Sequence, residues 1–468
     1  MGRSITNSDA LLSITHHSFH TMQGTRDLTT GPILHQLFKL AGPIMATSFV
    51  QMAYSLTDMA WVGRLGSEAV AAIGAVGILT WMSSSLSLLN KVGTEVSVAQ
   101  AIGQKDETAA RAFASHNITI ASIIALSWCT LLFIFARPVI SLFSLEAEIS
   151  ATAVSYLRLV LSGLPFYIVS ATFTGLFNAS GRSQIPFAIN AVGLVLNIVL
   201  DPLFIFVIGW GTDGAAIATA LSQLSVFLLF IYRLKVKQTL FPHLSLFTRL
   251  KRRYTSRILH LGTPAALLNL AFAFINMYMC KIAASTGGHI GLMTLTAGGQ
   301  IEAITWNTAQ GFSTALSSFV AQNYAAGKVY RVLKAYRTTL WLTGCIGVVC
   351  TFLFVFLGKE IFAVFVPEEA AYMAGSVFMR IDGYSQVFMM LEITMEGMFY
   401  GTGRSVQPAV ISIGGNVLRI PLSVYLVSIG LGVSGIWWAI SLSSILKGAC
   451  ALLWFHHMKN RIFSVNTL

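Results

Sequence analysis

Long apolar runs, broken by short polar punctuation, fill this chain from about residue 33 to residue 457. A helix needs roughly 20 apolar residues to cross a bilayer, and twelve stretches qualify. They are 33–62, 69–102, 113–136, 151–177, 184–207 and 214–234, then 256–284, 290–325, 335–358, 373–399, 406–428 and 434–457. Several exceed the minimum, so tilted or bent spans are expected. The pattern predicts an all-α membrane protein. Its divisions are a polar tail at 1–32, six helices at 33–234, a basic linker at 235–255, six more helices at 256–457 and a tail at 458–468.

Composition excludes the soluble classes. Only 10% of the 468 residues are charged and 55% are hydrophobic, with a mean hydropathy of +0.71. Soluble proteins carry roughly 25% charged residues. The net charge of +12 is concentrated in particular loops. Residues 232–257 hold eight Lys or Arg, and Lys328, Arg331, Lys334 and Arg337 follow later. Arg182 and Arg404 mark two short loops on the same side. On the other side Arg64, Arg137 and Lys359 are offset by Glu146, Glu148, Glu360, Glu368 and Glu369. The positive-inside rule then predicts cytoplasmic termini, and the charge needs no nucleic acid to explain it. The five cysteines lie in apolar runs and read as core residues, not disulfides or metal ligands. The first 30 residues lack the apolar centre of a signal peptide. The start MGRSIT fits the loose myristoylation pattern, an anchor that a many-span chain does not need.

The two halves repeat. GLFNASGRSQIPFAINAVGLVLNIVLD, from Gly175, returns 222 residues later as GMFYGTGRSVQPAVISIGGNVLRIPLS. At the same offset VAQAIG, from Val98, matches VAQNYA. LAGP ending at Pro43 matches LGTP ending at Pro264. An even number of helices per half inserts both the same way up, giving two pseudo-symmetric lobes related about the membrane normal. Such lobes can rock to open a central cavity to each side in turn.

Few polar residues lie inside the apolar runs, and each is costly there. In NIVLDPLFIF, Asn197 and Asp201 are four apart and share a helix face. Pro202 has no N–H, so the carbonyl of Ile198 loses its helical partner. Asp58, near the end of the first span, and Ala215 and Thr219, early in the sixth, fall at the same depth. The bland alternative is a buried group that only fixes packing. Two carboxylates, an amide and a hydroxyl at one depth favour a cation site, suited to H⁺ or to a hard ion bound by oxygen. The second half differs. Arg419 matches Asn197, Ser423 matches Asp201, and Lys281 lies one residue from the match of Asp58. Lys91 and Glu95 read as a structural i,i+4 pair. Glu302 and Asp382 either meet substrate or neutralise Lys281, Arg380 or Arg419. Pro43 leaves the carbonyl of Lys39 unpaired and makes the first helix a hinge.

Taken together, the first-helix pattern P43…D58…G63RLG66, GRSQIP, and LNIVLDPLFI followed by GTDGAAIATALSQ resemble the multidrug and toxic compound extrusion (MATE) family, nearest its DinF-like branch. The resemblance implies a secondary transporter in the bacterial inner membrane, exporting cationic or amphipathic drug-like compounds in exchange for H⁺ or Na⁺. It implies a coupling site at Asp58, Asn197, Asp201, the carbonyl of Ala215 and Thr219. Asp58, Asn197, Asp201 and Thr219 would be metal ligands if the ion is Na⁺. Pro43 maps onto the bending proline, and Gln51 and Tyr156 onto polar neighbours. An acidic residue known in helix 7 of other branches is missing here, where Asn269, Asn276 and Lys281 stand. Lys281, Glu302, Asp382 and Arg419 are candidate second-lobe contacts. No cofactor, enzymatic activity or nucleic-acid partner is implied, and a monomer in the bilayer is expected. A lipid-linked sugar flippase of the same architecture is the competing reading, kept open by Arg158, Lys281, Arg380 and Arg419. An aspartyl intramembrane protease would need Y-D and G-x-G-D motifs, and neither occurs.

Overall fold

The computed structural model describes residues 24–464, apart from 144 and 243. The MGRSIT start and most of the 1–32 tail therefore lie outside the described residues. All regular structure among the described residues is helical. The first lobe contains α1 (Ile33–Val62), α2 (Ser67–Gly103), α3 (Glu107–Ile134), the short α4 (Ala136–Ser141), α5 (Ala147–Ala179), α6 (Gln184–Pro202) and α7 (Gly211–Ile231). The second contains α8 (Arg252–Ala325), α9 (Val329–Phe365), α10 (Glu369–Gly383), α11 (Gln386–Gly401), α12 (Val406–Leu426) and α13 (Val433–Ser464). Gly288, at φ 59° and ψ −150°, splits α8 into two passes. The α10 and α11 helices share one pass, interrupted at Tyr384 and Ser385. Counted so, the described residues make the twelve predicted passes.

Several boundaries differ from the sequence reading for local reasons. The third span begins at Glu107 rather than 113, because the Asp106 carboxylate accepts the N–H of Ala109 at 2.8 Å and caps the helix. The last helix continues to Ser464, and the Tyr324 hydroxyl donates to the Ile462 carbonyl at 3.1 Å. The linker is no loose tether. Leu240, Phe241 and Leu244 are buried in the first lobe, and the N–H of Lys251 donates to His116 Nε2 at 3.1 Å.

The repeated motifs are repeated structures. Both GRS turns end a helix with glycine at positive φ, Gly181 at 76° and Gly403 at 78°. In each, the following arginine N–H reaches back five residues, Arg182 to Phe177 and Arg404 to Phe399, both at 2.9 Å. This is a Schellman ending, which favours glycine because it has no Cβ. Ser183 Oγ then donates to Leu40 O at 3.1 Å, and Ser405 Oγ to His260 O at 3.0 Å. Each serine pins its turn to the first helix of its own lobe. The two VAQ glutamines act between lobes. Gln100 Nε2 donates to Gly401 O at 3.2 Å, and Gln322 Nε2 to Ala179 O at 2.8 Å. Residues 179 and 401 are themselves repeat equivalents, so the pair is reciprocal.

These bonds belong to a seam at the end of the bundle that carries the basic loops. Glycines let backbones touch there, the usual device for helix contact in lipid. A Cβ on Gly262 would lie 2.0 Å from Leu89 O, and one on Gly103 would lie 2.1 Å from Gln322 O. A strap at 24–31 crosses the same end. Arg26 N donates to Ser180 O at 2.8 Å, Leu28 N to Gln322 Oε1 at 3.0 Å, and Lys328 Nζ to Thr29 O at 2.9 Å. Burial works against ionisation of Asp27 in this strap. Hydrogen bonds from Thr29 and the charges of Lys328 and Lys105 outweigh it and hold the carboxyl below its usual value. Here Leu37, Leu40 and Ile44 of the first lobe share one core with Phe312, Phe319 and Phe399 of the second. At the far end the cores are separate, one around Tyr156 and Ile205, the other around Phe378 and Trp437.

Two outcomes are expected from the seam. Gln322→Ala strips partners from the Leu28 N–H and the Ala179 carbonyl, at a cost of about 1–3 kcal/mol for each buried group left unpaired. The melting temperature of the purified protein should fall, and an unchanged value would show that water replaces the glutamine. Gly262→Ala should push α8 away from Leu89. Spin labels flanking the basic end would then report a longer interlobe distance than in the wild type.

Candidate functional site

Proline shapes the first-lobe site. The α6 helix ends at Pro202 and passes into a π turn at Leu203–Val207, where Ile208 N reaches Leu203 O at 2.9 Å. The α7 helix then starts directly on this turn. A Cβ on Gly214 would lie 2.7 Å from the Phe204 backbone, so glycine permits the contact. Ser155 Oγ donates to Asp213 Oδ2 at 2.9 Å and ties the start of α7 to α5. Ala215 is thereby fully buried one residue beyond the contact.

Around this junction the polar groups gather. Asn197 and Asp201 are fully buried, and Asn197 Nδ2 donates to Asp201 Oδ1 at 3.0 Å. Asp58, Asp201, Tyr54 and Tyr156 lie within electrostatic reach of one another. The Tyr54 hydroxyl faces the hydroxyls of Thr219 and Ser222, without a hydrogen bond of good geometry. Asp58 Oδ1, Asn197 Oδ1, Asp201 Oδ2, Thr219 Oγ1, Tyr54 Oη and Ser222 Oγ are all buried with no hydrogen-bond partner. Buried polar atoms are rarely left so, and here several on α1, α6 and α7 form a cradle of oxygens without partners. Gln51, in contrast, is exposed on α1. Pro43 lies on α1 well toward the basic end, and its carbonyl accepts the Thr47 hydroxyl at 2.8 Å. Tyr54 and Ser222 were not singled out from the sequence. Their signal was spacing, since Tyr54 precedes Asp58 by four residues and Ser222 follows Thr219 by three.

The second lobe satisfies its charges internally. Lys447 Nζ pairs with Glu392 Oε2 at 3.0 Å. Ser412 Oγ donates to Glu392 at 2.6 Å and to Glu396 at 3.2 Å. Arg419 donates to Ser443 at 2.8 Å and Ser444 at 3.0 Å, with Glu302, Glu392 and Asp382 facing its charge. Asp382 sits at the break between α10 and α11, where Gln386 Nε2 donates to its Oδ2 at 2.6 Å. Lys281 and Arg380 are exposed and stay outside this cluster. The second cation of this cluster is Lys447, a lone charge in the last apolar run that the sequence reading passed over. Lys91 and Glu95 differ from expectation as well. Among the described residues the ion pairs within 4.0 Å are Arg111–Glu107 and Lys447–Glu392. Glu95 instead accepts from Ser318 of the other lobe at 3.1 Å. The backbone of Lys91 packs on α5, with its carbonyl 2.5 Å from where a Cβ on Gly175 would stand.

Two six-helix lobes, helices broken beside buried carboxylates, and a seam at one end only define a multi-pass membrane protein of the two-repeat transporter type. The MatE family model matches residues 43–203 and 264–425, and the chain belongs to that family. It is 27% identical over 443 residues to "Probable multidrug resistance protein NorM" of Thermotoga maritima, covering 90% of this chain and 92% of that protein. It is also 27% identical over 435 residues to "Probable multidrug resistance protein YpnP" of Bacillus subtilis, covering 92% and 96%. A crystal structure of MATE in complex with MaL6 superposes with a TM-score of 0.88 at 24% identity, over 94% of this chain and 99% of that one.

Removing one partner from a buried pair costs about 3–5 kcal/mol, because the other charge stays behind in a poor dielectric. Lys447→Met should therefore lower the melting temperature sharply. Lys447→Met with Glu392→Gln should recover part of the loss, and a double variant no better than the single would show that Lys447 acts through packing.

Proposed function

We propose that this protein is a secondary active exporter of cationic or amphipathic organic compounds, driven by inward flow of H⁺ or Na⁺ through alternating access. The observation that carries this reading is the set of unpartnered oxygens on Asp58, Asn197, Asp201 and Thr219, with two carboxylates among them and no cation paired to either among the described residues. The relatives named above as multidrug resistance proteins support the choice of cargo. The basic end faces the cytoplasm of the bacterial cell, so the far end, where the lobes have separate cores, faces outward.

The coupling follows from electrostatics. Two carboxylates close together in a poor dielectric repel each other. A proton or a sodium ion between them cancels the repulsion and lets α1, α6 and α7 close around the oxygens. The α1 helix bends near Pro43, the first-lobe cavity narrows, and the drug leaves. Ion and drug thus draw on one conformational equilibrium, and each weakens the other by the same factor. No cofactor enters this cycle, and no reaction is catalysed. Of the four cations that kept a lipid-linked sugar flippase open, Arg419 is engaged by Ser443 and Ser444 and faces three carboxylates, which supports a drug exporter. Lys447 pairs with Glu392 and Arg419 is hydrogen-bonded to serines, which leaves neither as a free phosphate ligand in the second lobe.

Proteoliposomes with separately imposed pH and Na⁺ gradients test the reading. Asp58→Asn and Asp201→Asn should each abolish gradient-driven efflux of an ethidium-like dye while the protein still reaches the membrane. Efflux that persists in both variants, or that ignores both gradients in the wild type, would sink the coupling site.

A further inference from the structure

At the basic end of the first lobe, three segments far apart in sequence meet around a recess of about 500 Å³. The strap brings Arg26, α1 brings Lys39, and the repeated turn before α6 brings Arg182, with Thr25 and Gln184 between them. No carboxylate lines it. The side chains of these three cations have neither an ion-pair nor a hydrogen-bond partner among the described residues. The nearest acid in sequence, Asp27, is engaged elsewhere. Its Oδ1 accepts the Thr29 N–H at 2.7 Å, and its charge acts on Lys328 and Lys105.

The recess is built, not a chance meeting of long side chains. Arg26 is anchored through its own backbone to Ser180 O at 2.8 Å. Its Cβ lies 2.8 Å from where a Cβ on Gly181 would be, so the absence of a side chain at the turn admits the strap. Arg182 follows that glycine in the hydrogen-bonded turn, and Ser183 Oγ fixes the turn to Leu40, the residue after Lys39. The first turn of α6, with Gln184 and Ile185, also lines the wall and adds the positive end of a helix dipole. Lys39 is six residues into α1, roughly 9 Å along its axis, and the neighbouring Leu34 and Phe38 are exposed apolar side chains. That depth matches the headgroup layer. Like charges held together without a counter-charge repel, and an anion relieves that repulsion.

We propose that Arg26, Lys39 and Arg182 form a binding site for a phosphate-bearing anion, presented by an anionic lipid headgroup or free in solution. Basic recesses between spans on the cytoplasmic side suit such ligands. The site also bears on conformation. Arg26 belongs to the strap whose Leu28 and Thr29 hold Gln322 and Lys328 of the second lobe. An occupied recess therefore secures the strap and favours the state closed at this end. The inference rests on this geometry and is independent of the drug or coupling ion.

The test uses the purified full chain in a neutral detergent, with melting temperature as the readout. It is titrated with short-chain phosphatidylglycerol, with phosphatidylcholine of equal chain length, and with inorganic phosphate. The glycerol lipid should raise the melting temperature at lower concentrations than the choline lipid. The triple variant Arg26→Gln, Lys39→Gln, Arg182→Gln should need about a hundredfold more of it, roughly fivefold for each cation removed. Protection of the wild type by inorganic phosphate, lost in the triple variant, assigns the site to a free anion. Protection by phosphatidylglycerol alone assigns it to a lipid. Lys39→Gln alters one exposed side chain and should cost about fivefold by itself, a reading that stands if the triple variant fails to fold. Equal protection of wild type and Lys39→Gln by every anion, or no preference for phosphatidylglycerol or phosphate over phosphatidylcholine, overturns the proposal.

Discussion

Inside a bilayer no water is at hand to satisfy a backbone N–H or carbonyl, so every backbone group must find its partner within the protein. That constraint makes all the spans helical, and it makes each interruption costly. The interruptions here fall where polar side chains or tight turns can absorb the loss. Pro202 follows Asp201, and the helix recovers through a π turn rather than ending. The break at Tyr384 and Ser385 follows Asp382, and Ser385 donates its N–H to the Asp382 carbonyl at 2.9 Å. Both irregular stretches thus lie beside a buried carboxylate, one in each lobe.

The same constraint explains how the lobes meet. Helices in lipid gain little from hiding apolar surface from one another, so close contact depends on small residues and interhelical hydrogen bonds. At the basic end both are present. Backbones touch at Gly103 and Gly262, and Gln100 and Gln322 donate reciprocally to Gly401 and Ala179 of the opposite lobes. Each such bond is worth on the order of 1 kcal/mol in a membrane, so the seam is held by several weak contacts rather than one strong one. The far end has two separate cores and no shared one among the described residues. A seam of several weak, matched contacts is what the alternating access proposed above would require.

The lobes diverge most in how they treat charge. The second lobe buries Asp382, Glu392 and Glu396 with Lys447 and Arg419 among them, linked by serine hydroxyls. The first lobe holds Asp201 buried and Asp58 half-buried with no cation paired to either among the described residues, and one oxygen of each is buried without a hydrogen bond. A compensated cluster resists change because breaking any member exposes another. An uncompensated one keeps oxygens without partners, the basis of the coupling site proposed above. The same scaffold occurs twice in the chain, and differences at a few equivalent positions, such as Asn197 against Arg419, set the two lobes' charge apart.

Much of this was legible in the sequence, because length, apolarity and repeat spacing are one-dimensional properties. The hydrophobic runs sufficed for the twelve passes, the 222-residue offset for the two lobes, and Asp58, Asn197, Asp201 and Thr219 stood out as polar residues in apolar surroundings. Proline announced the discontinuity at residue 202 for a local steric reason. What the sequence left open depended on which helix faces meet. Lys447 became the partner of Glu392, and Glu95 turned to Ser318 rather than Lys91, because pairing in a low dielectric is decided by distance across helices 50 or more residues apart. Tyr54 and Ser222 joined the oxygen cradle only when α1 and α7 packed together. The VAQ glutamines read as a repeat and proved to be the lobe seam. A motif records that a residue recurs, and only the folded chain decides what stands opposite it.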